Sequence, residues 1–147
     1  MPGFYKDDLP STKYGAILSI SDKIETLISI FISGKRPSGS SDPYALRRNL
    51  NGVILIIWQF ELVLPIENIF EELLEHWKNS LPDIKFVKEK VLNDLIEFTN
   101  QRIINYLDEL SIGKELIKAT CLINSSTDKR IINILDLKNR INTIKQL

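Results

Sequence analysis

Apolar residues recur at steps of three and four along most of this chain, and prolines and glycines cut the pattern into segments. Ile17, Ile20, Ile24, Leu27, Ile28 and Phe31 fall on one helical face, with Asp22 almost opposite. Ser11 or Thr12 is placed to cap this helix, and Gly34 to end it in a left-handed conformation just after Ser33. Residues 34–42 hold two glycines, a proline and three serines and predict a loop. Asp42 then reads as the N-cap of a second helix, with Pro43 at its first position and an end near Val63. Its inward row is Leu46, Leu50, Val53, Ile54, Ile57, Phe60 and Leu64, and Ile56 and Trp58 widen it, so this helix should be central. Pro65 and Pro82 bound a third helix over about 66–81. A fourth starts near Ile84 or Phe86 and reaches about Leu110, its inward row being Val87, Val91, Leu95, Phe98, Ile103 and Leu107. Beyond Gly113 the spacing predicts a short helix over 114–122. A last one runs from about Lys129 and carries Ile131, Ile134, Leu135, Leu137, Ile141 and Ile144. The abundance of isoleucine favours strand by propensity, but the spacing reports burial geometry and outweighs it. The expectation is an all-α helical bundle of about five or six helices.

Composition narrows the function. At 147 residues, 44% hydrophobic and 26% charged, the chain has the length and apolar content of one folded domain. Its 19 basic and 19 acidic side chains cancel, which argues against generic polybasic nucleic-acid binding and leaves room for a local basic patch. A single cysteine, Cys121, allows no intrachain disulfide and fits a reducing, cytoplasmic compartment. The first eight residues lack the apolar core of a signal peptide, and the apolar run Val53–Trp58 is far short of a membrane span, so no membrane partner is expected.

Catalytic chemistry finds little support. Cys121 has no basic neighbour to activate it, and the lone His76 sits on a glutamate-rich segment. No His-Asp dipeptide accompanies Asp22, so the metal shell of a helical HD phosphohydrolase is incomplete and no metal site is expected. Ser38-Gly39-Ser40-Ser41 lacks the Gly-Lys-Ser/Thr ending of a nucleotide-binding loop. The local electrostatic feature is Lys35, Arg36, Arg47 and Arg48, set around the start of the second helix, where the helix dipole adds partial positive charge. They read either as a phosphate-facing patch or as four solvated cations. On a ~3.6-residue wheel Arg47 borders the apolar row, whereas Arg48 points nearly away from it. Arg47 is therefore expected to pair structurally with an acid such as Asp22 or Glu25. Lys35, Arg36 and Arg48 are the contact candidates.

The segment Lys13-Tyr14-Gly15-Ala16-Ile17-Leu18-Ser19-Ile20-Ser21-Asp22-Lys23-Ile24-Glu25-Thr26-Leu27 resembles the A-D-K-x-D-T-L helix of the bacterial-type glycyl-tRNA synthetase beta subunit. Residues 34–48 are similar to its G-x-x-P-x-G-S-x-D-P-F-A-L-R-R motif, and Asp7-Asp8-Leu9-Pro10 to its D-x-L-P. Ser21, Glu25 and Asn49 depart from the pattern, where Ala, Asp and Ala are usual. Asp136-Leu137-Lys138-Asn139-Arg140 is similar to a stretch after the family's central helices. The resemblance implies a fragment of a longer subunit, with residues 1–64 the C-terminal part of an HD-like domain and 65–147 a continuous helical extension. Asp22 matches the final metal aspartate of the HD fold, whose other ligands the family has largely lost. By resemblance the chain serves tRNA recognition through Lys35, Arg36 and Arg48. The whole enzyme, with its alpha subunit, uses ATP and Mg to charge tRNA(Gly), and no catalysis is expected of this chain alone. The competing reading is an autonomous, non-catalytic helical interaction module.

Overall fold

The computed structural model describes residues 12–42, 44–109, 131 and 133–145. They form five helices: α1 Lys13–Ile32, α2 Leu46–Phe60, α3 Ile66–Ser80, α4 Lys88–Glu109 and α5 Ile134–Lys145. No strand is assigned among the described residues, and the fold is an all-α bundle. The predicted helix over 114–122 and the proposed capping residue Ser11 lie outside the described residues, as does Pro43.

Helix α1 starts where expected. Thr12 is extended, and its Oγ1 accepts the Gly15 N–H at 3.0 Å, satisfying one of the free donors of the first turn. It ends as expected too. Gly34, at φ +87°, donates its N–H to the Phe31 carbonyl, and open space surrounds its Cα, so the backbone angle alone accounts for the glycine. The inward face carries Ala16, Ile20, Ile24, Leu27, Ile28, Phe31 and Ile32. Ile17 is a correction: it is 46% exposed, beside the exposed Tyr14 and Leu18. Periodicity reports where a side chain faces, not whether a partner lies opposite.

Helix α2 packs on α1, α4 and α5, and α1, α2 and α4 touch one another in the middle of the bundle. The stem of Lys23 on α1 lies against Gly52 on α2, where an added Cβ would come within 2.9 Å of Lys23 Cε. Leu46, Leu50, Val53, Ile54, Ile56 and Ile57 are buried, whereas Phe60, Trp58 and Leu64 are half-buried against them. The start of α2 is a second correction. Tyr44 and Ala45 are not helical, and Ala45 takes a left-handed φ of +52°. Asp42 does cap the helix, but from farther back: Oδ1 accepts the Leu46 N–H at 2.8 Å and Oδ2 the Arg47 N–H at 3.0 Å. Glu61, also left-handed at φ +51°, ends the helix earlier than the sequence suggested.

Helix α3 leans on α1 and α4 through Ile66, Phe70 and Leu74. Lys88 at the head of α4 reaches Glu75 of α3 at 3.0 Å, and that contact holds the Glu75 carboxyl below its usual range. Helix α4 starts later than predicted because the chain turns at Leu81–Ile84, so Val87 precedes the helix and stays exposed. Buried Thr99 satisfies its hydroxyl on the Leu95 carbonyl at 2.7 Å. Helix α5 begins with Asn133, whose Oδ1 accepts the Asp136 N–H, and buries Ile134, Leu137 and Ile141 in the cluster formed by the other four helices. Lys138 fastens it to α2, donating to the Trp58 carbonyl at 2.8 Å and to Glu61 Oε1 at 3.2 Å. Residue 131 precedes this helix, so the predicted start at 129 is corrected to Ile134.

Two substitutions test this packing. Leu137→Ala should cost about 2–5 kcal/mol in urea unfolding, because it opens a cavity under α5. Ala45→Gly should raise stability by about 0.5–1 kcal/mol at constant m, since relief of the left-handed strain exceeds the added entropy of the unfolded chain.

Candidate functional site

The loop between α1 and α2 is built from short-range contacts. Ser38 and Ser41 exchange both backbone hydrogen bonds, at 2.9 and 2.8 Å, and Gly39 stands first in the turn at φ +55°. Glycine takes that place readily because it has no Cβ to clash. Asp42 then turns the chain into α2, as described above.

The four cations of the predicted patch take different places. Arg36 is held on several sides. Its Nε and Nη2 donate to Asp94 Oδ2 at 3.3 and 2.9 Å, and its Nη1 donates at 2.7 Å to the Phe31 and Lys35 carbonyls. Its Cζ stands 4.1 Å from the centroid of the Phe31 ring. The guanidinium thus caps the C-terminal end of α1, where the helix dipole is negative, and ties the loop to α4. Expected to face a ligand, it is engaged within the protein. Lys35 remains exposed, and its Nζ donates to the Tyr44 hydroxyl and sits 4.9 Å from that ring's centroid. Arg48 is exposed on the side of α2 that the wheel predicts.

Arg47 lies in a cleft with Arg36, Asp94 and Arg102. No ion pair joins it to Asp22 among the described residues. Asp22 is exposed on the outer side of α1, where its backbone carbonyl accepts the Thr26 hydroxyl. The geometric reason is the one visible on the helical wheel: Asp22 faces away from the side of α1 that packs on α2. Glu25 is exposed as well. His76 is exposed on α3, Cys121 lies outside the described residues, and no group of three or more His, Cys, Asp or Glu side chains among the described residues could hold a metal ion. No described helix is long and apolar enough to cross a membrane.

Two residues of this region escaped the sequence reading, Asp94 and Arg102, both on α4. Each has a local partner legible at four-residue spacing: Lys90 lies 3.4 Å from Asp94, and the Arg102 Cζ stands 5.9 Å from the centroid of the Phe98 ring. Their approach to the α1–α2 loop spans about sixty positions and has no signal in the sequence. Burial pushes the Asp94 carboxyl up, but the hydrogen bond and charge of Arg36, with Lys90 behind them, prevail and hold it below the usual carboxylate range. The region therefore presents Lys35 and Arg48 to solvent, Arg47 and Arg102 to a cleft, and Arg36 to the protein itself. Such an arrangement suits anions and offers no nucleophile with a base beside it.

The Arg36–Asp94 pair makes a testable contribution. Because the folded pKa of Asp94 is depressed, its stabilisation is complete above the unfolded value of about 3.9 and is lost as pH falls through the lower folded value. Asp94→Asn should cost about 1 kcal/mol at pH 7, a figure reduced by partial exposure, and the gap in Tm from the parent chain should narrow as the pH falls below about 4.

Comparison with known proteins shows relatives of one kind. The chain is 30% identical to a glycine–tRNA ligase beta subunit of Clostridioides difficile over 99% of its own length and 23% of the relative's. It is 35% identical to one of Trichodesmium erythraeum, over 91% of this chain and 19% of that one. A glycine–tRNA ligase of Chlamydia muridarum matches at 34% over 90% of this chain and 13% of its own. The chain thus spans less than a quarter of the length of these curated relatives. The family model described as glycyl-tRNA synthetase beta subunit matches residues 1–122, most of the chain including the whole α1–α2 loop, and the protein belongs to that family.

Proposed function

We propose that this chain is a tRNA-recognising part of a cytoplasmic glycine–tRNA ligase beta subunit, supporting ATP-dependent charging of tRNA(Gly) together with an alpha subunit. The observation that carries the reading is the gathering of Lys35, Arg47 and Arg48 at the start of α2, with Arg102 of α4 brought to the same end. Positive side chains so placed neutralise backbone phosphates and release counterions, which supplies affinity without a positive net charge on the whole chain. Exposed Tyr44 beside Lys35 adds an aromatic face of the kind that stacks on unpaired bases. In this reading ATP and Mg act outside the chain. The alternative, a helical interaction module without an RNA role, draws on the exposed Tyr14, Ile17 and Leu18 at the start of α1.

Salt-dependent binding of tRNA(Gly), measured with the chain alone and with an alpha subunit, separates these readings. Arg48→Ala and Lys35→Ala should each weaken binding and lower the salt slope by about one unit, with little change in Tm. Arg36→Ala should instead lower Tm, because it removes the guanidinium that joins Asp94 to the Phe31 and Lys35 carbonyls. Unchanged affinity and slope in both Lys35→Ala and Arg48→Ala would overturn the tRNA reading in favour of the interaction module.

A further inference from the structure

The geometry points to a phosphate site in the cleft between the first turn of α2 and the middle of α4, where Arg47 and Arg102 together grip one backbone phosphate of a bound RNA. The inference rests on the tRNA reading above and names a pair of residues for it. The cleft encloses about 350 Å³. One wall is aromatic: Phe31 of α1 and Phe98 of α4 meet at a centroid distance of 5.4 Å, tilted by 50°. Arg36 covers Phe31 and Arg102 lies over Phe98, so two guanidinium groups stand on the two rings. They differ in what they bind. Arg36 spends its donors on Asp94 and two carbonyls, whereas Arg102 Nε is buried and has no hydrogen-bond partner. A buried donor without an acceptor is costly and rare.

The cleft lining carries more cations than acids. The ionisable residues lining the cleft are Arg36, Arg47 and Arg102 against Asp94 and Glu97, an excess of one positive charge. Asp94 is shared by Arg36 and Lys90. Beyond the lining, Asp42 and Glu109 also act on Arg102, but Asp42 already receives two N–H groups from α2. Burial and then the nearby charge of Arg47 push the Arg102 pKa down from its ordinary value, against the opposing charges of Glu109 and Asp42. Arg102 nevertheless stays charged at neutral pH. A phosphodiester between Arg47 and Arg102 offers the paired oxygens that a guanidinium fork takes up.

The test uses the whole chain, with its arginine side chains labelled for Nε–H spectroscopy. Titration with tRNA(Gly) should shift the Arg102 and Arg47 Nε–H signals of the unsubstituted protein. Arg102→Gln should weaken tRNA binding roughly tenfold and lower the salt slope by about one unit. Arg102→Lys keeps the charge but loses the fork, so it should weaken binding while leaving the slope nearly intact. That variant and the unsubstituted spectra keep the test decisive if Arg102→Gln fails to fold. Binding that depends on Lys35 and Arg48 but ignores both Arg102 variants and leaves the Arg102 signal in place would overturn the cleft site and spare the tRNA reading. Loss of all cation dependence would overturn both. A shift of the Arg102 signal with inorganic pyrophosphate but not with tRNA would also overturn the proposal, by assigning the cleft to a free phosphate compound.

Discussion

One guanidinium holds the α1–α2 loop end of this bundle together. Arg36 joins the last turn of α1, its own loop and the middle of α4 by hydrogen bonds of 2.7–3.3 Å, and its flat face rests on Phe31. Forming that contact closes a loop of about sixty residues, an entropic cost that the packing of α1 and α4 already meets. Once the helices are packed, the arginine orders the glycine-rich segment. Phe31 and Phe98 form the cleft wall, and α2 leaves the loop with Arg47 directed into the same space.

Electrostatics on a neutral chain follow from this division of labour. The bundle brings four arginines and a lysine to one end but consumes only some of them internally. Arg36 neutralises Asp94, and Lys88 and Lys138 answer glutamates elsewhere, on α3 and at the end of α2. The positive character left over is local. A chain whose charges sum to zero can still gather cations at one end, because several of its acids are deployed elsewhere to fasten helices.

Much of the fold was legible in the sequence, because helical periodicity and capping chemistry are local. Thr12, Gly34 and the buried rows of α1 and α2 follow from spacing and from backbone donors that need acceptors. The failures sit where geometry is decided at a distance. Asp42 was legible as a cap, but its reach to Leu46 and Arg47 was not, since it depends on Ala45 adopting a left-handed turn that alanine rarely takes. The cationic patch was legible as a cluster of residue types, and the family motif in residues 34–48 pointed to the same place. Which cation serves the fold was not legible, because Asp94 and Arg102 arrive from α4 through packing.

Both ends of α2 are marked by left-handed, non-glycine residues, Ala45 and Glu61. Each is a hard stop: propagation by one more residue would require abandoning a backbone turn that the neighbouring contacts of Asp42 and Lys138 reinforce. The helix therefore has a set length and a set phase. Adding or losing one residue between the stops would rotate everything beyond it by about 100°, swinging either the buried row or Arg47 away from its place. α2 acts as a spacer of fixed pitch, and insertions between the two stops should be rejected.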